Sequence, residues 1–398
     1  MAQTRYAGSL SHPIVKVNRK AVSRFENGHP WIFMSDLEAR GTAQPGDLVS
    51  VADSRGRVFG IAHYSSTSQI SLRMLSRSNH TSEMALFRMR LEAAAAYRQR
   101  VVRDTNSYRL VHAEADQLPG LIIDRYGDVL VIQTLDQGMD RAKPQIVELL
   151  AELFAPTAIV ERNDVAVRKL ENLAQEKGIL RGELEGPVTV TMNGLSLTAD
   201  VLGGQKTGVF LDQRENYLAA RRHAHGRVLD CFCSTGGFAV HMAAAAESVE
   251  AIDASPVALD AARANALRNG IENVNVREAD VFALLSDYGT ARRHFDTIVL
   301  DPPAFAKSRA TVEKALTGYK EINLRALRML EPGGILMTYS CSHHVSEADL
   351  LGVVAEASID AGKTLRVLER RSQAADHPIL LTIPETLYLK GAIFEVVG

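Results

Sequence analysis

Cysteine, aromatic side chains and long apolar runs are all scarce in this chain of 398 residues. It contains three cysteines and one tryptophan, and aromatic residues make up 6% of the total. Three cysteines cannot crosslink so long a chain, which excludes a disulfide scaffold. No apolar run approaches the roughly 20 residues of a membrane helix, and the first residues, MAQTRYAGSLSHPIVKV, lack the apolar core of a signal peptide. We therefore expect a soluble, cytoplasmic protein with no membrane partner.

The apolar content is nevertheless high enough for large cores. Hydrophobic residues make up 46% of the chain, which excludes a disordered protein. Because chains beyond about 250–300 residues usually split into domains, we predict three. Residues 1–80 form a small β domain, residues 81–204 a central α+β domain that begins with a linking helix, and residues 205–398 an α/β domain.

The net charge of -2 is the sum of two opposed regions. Residues 1–110 carry 16 Lys+Arg against 8 Asp+Glu, which is +8, so the rest of the chain carries 29 against 39, which is -10. A basic region is typical of nucleic-acid contact, although chance clustering on a solvated surface explains it about equally well. A helix predicted over residues 82–103, with Ser82 as N-cap, holds much of this charge. Its arginines are Arg88, Arg90, Arg98, Arg100 and Arg103.

Secondary-structure patterns differ among the three regions. Turn residues separate the β-rich segments IVKV, DLVSVAD, RVFGIAHY and SQISLRML in the first. The second has two hairpin patterns, LPGLIIDRYGDVLVIQTL and PVTVTMNGLSLTAD, around the helix RAKPQIVELLAELF and the strand TAIVERND. In the third, helices alternate with the strands RVLDCF, VEAIDAS, VNVREAD, DTIVLDPP and GILMTYSCS. This alternation predicts a parallel, doubly wound sheet, in which ligands bind beyond the C-terminal ends of the strands.

Acidic residues end four successive strands of this predicted sheet: Asp230, Asp253, Asp280 and Asp301. The first strand continues into DCFCSTGGF, whose glycines allow close approach to a ligand, but their spacing differs from the GxGxxG of dinucleotide sites. Asp253 suits the hydroxyls of a ribose, and Asp280 suits an adenine. A single acid of this kind is most often a helix cap, whereas the set resembles a class I S-adenosylmethionine-dependent methyltransferase.

Two further segments lie where such enzymes bind their methyl acceptor. The loop DPPAF at residues 301–305 is stiffened by its prolines, and Phe305 is able to stack on an extruded base. Alone, this loop favours methylation of an amino group of adenine or guanine. Cys341 indicates a different chemistry, because carbon-5 of cytosine becomes nucleophilic only after a thiolate adds to carbon-6. A lone cysteine is more often a buried apolar residue.

Together these motifs resemble the bacterial 23S ribosomal RNA 5-methylcytosine methyltransferases that bear an N-terminal PUA domain. The resemblance runs nearly end to end. It is carried by HPWIF (29–33), SQI (68–70), DQLPG (116–120), DRYG (124–127), DVAVR (164–168), QKTG (205–208), DQR (212–214), residues 229–238, 301–305 and 340–342, AADHP (374–378) and YLKG (388–391). It implies a β-barrel-like PUA domain that binds RNA, a central α+β domain and a Rossmann-like methyltransferase domain.

The resemblance also implies an activity, which is methyl transfer from S-adenosylmethionine to carbon-5 of a cytosine in 23S rRNA. Cys341 is then the nucleophile, and Asp301 and Pro302 position the cytosine. Gln213 and Arg214 hold the carboxylate of the cofactor. The other residues implied in cofactor binding are Asp230, Phe232, Thr235, Gly236, Gly237, Asp253, Ala254, Asp280, Val281 and Asp301. No second cysteine follows Pro302, so a single-cysteine cycle is expected, and no metal site is expected.

The chain departs from the family pattern at two places, and other functions stay open. Cys233 and Ser234 replace a Ser-Tyr pair, which removes one expected cofactor contact, and His343 is a candidate for tuning the Cys341 thiolate. One alternative is an RNA methyltransferase acting on a guanine or adenine nitrogen, and another is a non-catalytic RNA-binding factor of ribosome assembly. A small-molecule methyltransferase is disfavoured because it would not need two accessory domains. The oligomeric state is open, with a homodimer as one candidate.

Overall fold

The structure, a computed structural model, describes residues 12–78, 82–204, 206–306 and 308–398. Residues 1–11, the predicted domain boundary at residues 80 and 81, and Gln205 of the QKTG motif lie outside the described residues. In the described part, three sheets of five or more strands follow one another along the chain, accompanied by a two-stranded hairpin. None of the helices in those segments is long and apolar enough to cross a membrane.

The first sheet contains the β-rich segments predicted for the N-terminal domain. Its strands are β1 (Ile14–Val17), β2 (Trp31–Phe33), β3 (Leu37–Ala39), β4 (Leu48–Ala52), β5 (Val58–Tyr64) and β6 (Ile70–Ser76). Their order is β2-β6-β5-β4-β1-β3. The sequence did not predict helix α1 (Arg19–Glu26) or the three-residue strands β2 and β3, because such short elements carry no clear apolar period.

The central sheet packs against two helices, α2 (Glu83–Val101) and α3 (Gln137–Phe154). Its strands are β7 (Ser107–His112), β8 (Leu121–Tyr126), β9 (Val129–Thr134), β10 (Ala158–Arg162) and β11 (Lys177–Gly182). Their order is β11-β10-β9-β8-β7. The predicted hairpin β8–β9, both helices and β10 are confirmed. The edge strands β7 and β11 were missed.

The arginines of α2 are not the uniformly exposed basic face that the charge count suggested. Arg98 is buried, and its guanidinium donates to both carboxylate oxygens of Asp116 at 2.5 and 2.7 Å. Arg90 is buried as well and donates to the backbone carbonyls of Leu75 and Gln117. Arg90 therefore links α2 to the first domain, whereas Arg98 pairs within the central domain, because a guanidinium shielded from water needs such partners.

The third domain is built on a mixed sheet and is preceded by a hairpin, β12 (Val188–Met192) and β13 (Leu195–Ala199). The sheet strands are β14 (Arg227–Cys231), β15 (Ser248–Asp253), β16 (Val274–Glu278), β17 (Phe295–Leu300), β18 (Leu330–Ser340), β19 (Leu365–Ser372) and β20 (Lys390–Val396). Their order is β16-β15-β14-β17-β18-β20-β19. The strands β14 to β18 are parallel, as predicted, and β14 lies in the middle.

The far edge of this sheet corrects the prediction of an entirely parallel arrangement. Strand β20 runs antiparallel to β18 and to β19. The helices of this domain are α4 (Arg214–His223), α5 (Gly237–Met242), α6 (Pro256–Arg268), α7 (Val281–Thr290), α8 (Val312–Leu327) and α9 (Glu347–Asp360). They cover both faces of the sheet over two apolar cores, one of which also includes the hairpin β12–β13. The C-terminal ends of the parallel strands are left uncovered to form a site.

Candidate functional site: a cofactor cavity with a cysteine at its edge

A cavity of about 600 Å³ lies at the C-terminal ends of the parallel strands, and we call it the cofactor cavity. It occupies the position at which open α/β sheets bind ligands. Most of the residues predicted for cofactor or acceptor binding line it. These are Gln213, Phe232, Thr235, Gly237, Asp253, Ala254, Asp280, Val281, Asp301, Pro302 and Cys341.

The loop after β14 turns sharply, which brings its backbone to the cavity wall. Phe232, Ser234 and Gly236 all have positive φ, at 64°, 47° and 80°. Left-handed conformations cost little for glycine but about 1 kcal/mol or more for other residues. Phe232 and Ser234 therefore indicate a strained backbone that the surrounding structure holds in place. A Cβ on Gly237 would lie 2.4 Å from ring atoms of Tyr217, so only glycine fits there.

The acidic residues at the strand ends occupy different environments. Asp253 accepts the backbone amides of Ser234 and Ser255, both at 2.9 Å, which fixes its carboxylate at the cavity wall. Asp280 is exposed and is the N-cap of α7, accepting the amide of Ala283 at 2.9 Å. The helix-cap role that is most common for a lone acid is therefore correct for Asp280, while the same residue also faces the cavity.

Three of the predicted cofactor residues do not form part of the cavity wall. Gly236 lies behind it, at the start of α5. Asp230 is completely buried, and neither carboxylate oxygen has a hydrogen-bond partner among the described residues. Burial, followed by the negative charge of Asp301, holds the pKa of Asp230 well above its usual range. Because Asp230 is buried and does not line the cavity, its side chain is placed to support the loop and not to contact a ligand directly.

Arg214 also points away from the cavity. Its guanidinium donates to the carboxylates of Asp376 and Glu215, each at 3.1 Å, and its side chain is 2% exposed. Asp376 belongs to the tail motif, so this ion pair joins α4 to the C-terminal segment. This geometry therefore does not support direct binding of the cofactor carboxylate by Arg214. Gln213, in contrast, lines the cavity.

Cys341 and Asp301 both line the cofactor cavity. The Cys341 Sγ lies 4.0 Å from the carbonyl oxygen of Pro302. Burial, together with the Asp301 charge, raises the pKa of the Cys341 thiol to about 11. Burial, together with the charge of Asp212, raises the pKa of Asp301 to about 7. At neutral pH the free site therefore holds Cys341 as a thiol, in the same cavity as a carboxyl whose pKa is close to that pH.

Lys206 and Asp212, which the sequence did not single out as site residues, place an ion pair in the wall of this cavity. Lys206 donates to Asp212 Oδ2 at 2.7 Å, and the Tyr388 hydroxyl donates to the same oxygen at 2.8 Å. The ammonium of Lys206 opposes the rise in the pKa of both Cys341 and Asp301. Only the position of Lys206 in the QKTG motif could have suggested this role.

A hydroxyl network holds the segment that carries Cys341. The Tyr319 hydroxyl lies 2.8 Å from the hydroxyl of Ser340 and 3.0 Å from that of Ser342. The amide of Ala306 donates to Ser342 at 3.2 Å, which ties this segment to the loop after Asp301. Lys390 donates to the carbonyl of Ser342 at 2.7 Å. The serines that flank Cys341 therefore act as anchors.

Phe305 is packed differently from the expectation for a base-stacking residue. Its ring centroid lies 4.7 Å from that of Tyr319 and 5.8 Å from that of Phe282. It packs, partly buried, against the core under the acceptor loop and does not line the cofactor cavity, so this geometry does not support the predicted stacking on an extruded base. Among the described residues, no three His, Cys, Asp or Glu side chains are grouped in a way that could hold a metal.

The cavity residues fit S-adenosylmethionine. The glycine turn, the fixed Asp253 carboxylate, and the apolar Phe232 and Val281 offer places for its amino acid, ribose and adenine parts. A methyltransferase-domain model matches residues 222–374, and a PUA-like domain model matches residues 15–77. Fold, site and domain match thus define an S-adenosylmethionine-dependent methyltransferase with an N-terminal PUA-like domain.

Comparison with known proteins identifies the family. The chain is 44% identical over 382 residues to ribosomal RNA large subunit methyltransferase I of Shewanella denitrificans, covering 93% of this chain and 96% of that protein. The protein of the same name from Shewanella amazonensis is 42% identical over 392 residues, covering 96% and 99%. The chain therefore belongs to the ribosomal RNA large subunit methyltransferase I family.

Solved structures share the fold of this chain. A protein of Streptococcus mutans described as a SAM-dependent methyltransferase superposes with a TM-score of 0.82 at 18% identity, over 96% of this chain and all of that one. A second such structure, described as a methyltransferase complexed with SAH, superposes with a TM-score of 0.83 over the same share of both chains, also at 18% identity.

Proposed function

We propose that this enzyme methylates carbon-5 of a cytosine in 23S rRNA through a covalent bond between Cys341 and carbon-6. The family name supports a large-subunit ribosomal RNA as the substrate. A cytoplasmic location with the ribosome, and a homodimer, are further parts of this proposal. The observation that carries the cytosine chemistry is that Cys341 lines the cofactor cavity together with Asp301, with its Sγ 4.0 Å from the carbonyl oxygen of Pro302.

The bound cofactor supplies an electrophilic methyl group, and the protein must make carbon-5 nucleophilic. The Cys341 thiol loses its proton, and its sulfur adds to carbon-6, which turns carbon-5 into an enamine-like carbon. After carbon-5 has gained the methyl group, it loses its proton, the C5–C6 double bond re-forms, and the Cys341 thiolate leaves. The atoms balance, because the methyl group replaces the hydrogen of carbon-5, whose proton passes to solvent, and Cys341 is regenerated.

Asp301 has two roles in this scheme. As a carboxyl with a pKa near 7, it is able to donate a proton or a hydrogen bond to ring nitrogen-3 of the cytosine when sulfur adds to carbon-6. Its negative charge also opposes ionisation of Cys341. Protonation of Asp301, or its pairing with the base, therefore removes one of the effects that keep Cys341 a thiol. Nucleophile activation is thus coupled to substrate binding.

Substitution of Cys341 tests this proposal. Cys341→Ala is expected to abolish methyl transfer to 23S rRNA while binding of S-adenosylhomocysteine, measured by calorimetry, stays within a few-fold of wild type. Cys231→Ala is the matched control, because Cys231 is fully buried in β14 and does not line the cavity. Full activity of Cys341→Ala would remove the covalent mechanism and favour methylation of a guanine or adenine nitrogen.

A further inference from the structure

A second cavity, of about 480 Å³, lies beside the cofactor cavity and is used by no step of the proposed reaction. The two cavities share Lys206 and Asp212 in their walls. Residues from all three domains line the second one, including Trp31 of β2, Glu114 of the central domain and Tyr388 of the C-terminal segment. We call it the three-domain cavity.

The walls of the three-domain cavity are rich in rings. The centroids of His112 and His377 are 5.2 Å apart, those of His112 and Tyr388 are 6.1 Å apart, and those of His343 and Tyr388 are 5.8 Å apart. Trp31, the single tryptophan of the sequence, lines the cavity from the PUA-like domain. Aromatic walls of this kind are what unstacked nucleobases bind, because every base presents a π face.

Trp31 is held in place before any ligand binds. Its indole Nε1 donates to Glu114 Oε1 at 2.8 Å, and its ring meets that of His29 edge-on at a centroid distance of 5.3 Å. Burial raises the pKa of Glu114, and the hydrogen bond from Trp31 opposes this rise. The PUA-like domain thus presents a fixed ring to a cavity whose remaining walls belong to the other two domains.

The shared wall supplies the polar groups. Asp212 is 3% exposed and uses only Oδ2 for Lys206 and Tyr388, so its Oδ1 is a buried acceptor without a partner among the described residues. The bonds from Lys206 and Tyr388 to Asp212 Oδ2 therefore fix the wall between the two cavities. Lys206 is 43% exposed between the two cavities, where a phosphate joining two nucleotides would be neutralised.

From these observations we infer that the three-domain cavity binds a second unstacked nucleobase of the RNA strand, one that flanks the target cytosine. This inference rests on the proposed RNA substrate but not on the covalent mechanism. The junction of the three domains would then take part in recognising the RNA sequence. The cavity has all its walls only when the three domains are docked. The flanking base would help to select the target site and hold the strand while the cytosine reacts.

Steady-state kinetics on unmodified 23S rRNA test the inference. Trp31→Ala is expected to raise the KM for RNA about tenfold, the effect of one lost base stack, with kcat and the KM for S-adenosylmethionine unchanged. Trp31→Phe keeps a ring but loses the bond to Glu114, and its KM for RNA should stay within about threefold of wild type. Met34→Ala, at an exposed methionine of the same domain, is the control.

The possible outcomes distinguish failure of the flanking-base inference from failure of the proposed rRNA methylation. An unchanged KM for RNA in Trp31→Ala would overturn the inference, as would equal losses in Trp31→Ala and Trp31→Phe, because those would report the lost Glu114 bond. Failure of the wild-type protein to methylate 23S rRNA would instead overturn the proposed function. A direct second measurement is intrinsic fluorescence, since Trp31 is the only tryptophan. A saturable change on adding a short single-stranded RNA is expected, and no change would contradict binding at this cavity.

Discussion

Replacing Asp301 with asparagine should change the pH dependence of stability in a way that the structure fixes. The pKa of this carboxyl is raised from 3.8 to about 7 in the folded protein, mainly by burial. A carboxyl with a raised folded pKa stabilises the fold at low pH, and this contribution is lost as the pH rises from about 4 through 7. This rise in pKa corresponds to a loss of about 4 kcal/mol, of which roughly 2 to 3 kcal/mol falls between pH 5 and pH 8.

Asparagine does not ionise, so Asp301→Asn should escape this loss. Relative to wild type, its free energy of unfolding should increase by about 2 kcal/mol between pH 5 and pH 8, because Asp301 is only partly shielded from water. Urea unfolding of both proteins at the two pH values measures this double difference, from which any pH-independent effect of the substitution cancels. The control is Asp287→Asn at an exposed position of α7. A double difference near zero would refute the environment inferred for Asp301.

Two other substitutions test the cavity floor and the domain junction. Gly237→Ala should weaken binding of S-adenosylhomocysteine at least tenfold in calorimetry, because its Cβ would collide with the Tyr217 ring, and unchanged affinity would show that the turn is not tight. Arg98→Ala should destabilise the fold by about 3–5 kcal/mol in denaturation experiments, since it leaves the Asp116 charge without its partner. Arg100→Ala, at an exposed position of the same helix, should change stability by less than about 0.5 kcal/mol. Equal effects of the two arginine substitutions would contradict the buried ion pair.

The sequence predicted the parallel strands and the acidic residues at their ends because both follow from local pattern. Apolar strands that alternate with helices specify a parallel sheet, and the topology of such a sheet brings the strand ends together. The additional strands β19 and β20 were not predicted, because β20 pairs antiparallel with β18 and β19 pairs antiparallel with β20, so no alternation of strand and helix marks them.

The sequence could not predict which charges find partners. Arg214 and Asp376 are 162 residues apart, so nothing local indicated that this arginine is paired internally. In the same way, a charge count assigns Arg98 to the surface, although the fold buries it against Asp116. The three-domain cavity was equally hidden, since its walls come from distant segments that meet only after the domains dock.

The central claim is that Cys341 attacks carbon-6 of a cytosine. Incubation of the protein and S-adenosylmethionine with 23S rRNA transcribed with 5-fluorocytidine triphosphate tests it most directly, because fluorine on carbon-5 blocks release of the enzyme. We predict a covalent protein–RNA complex that survives denaturing electrophoresis, requires the cofactor and is absent with Cys341→Ala. Methylation of ordinary 23S rRNA without such a complex would contradict the claim.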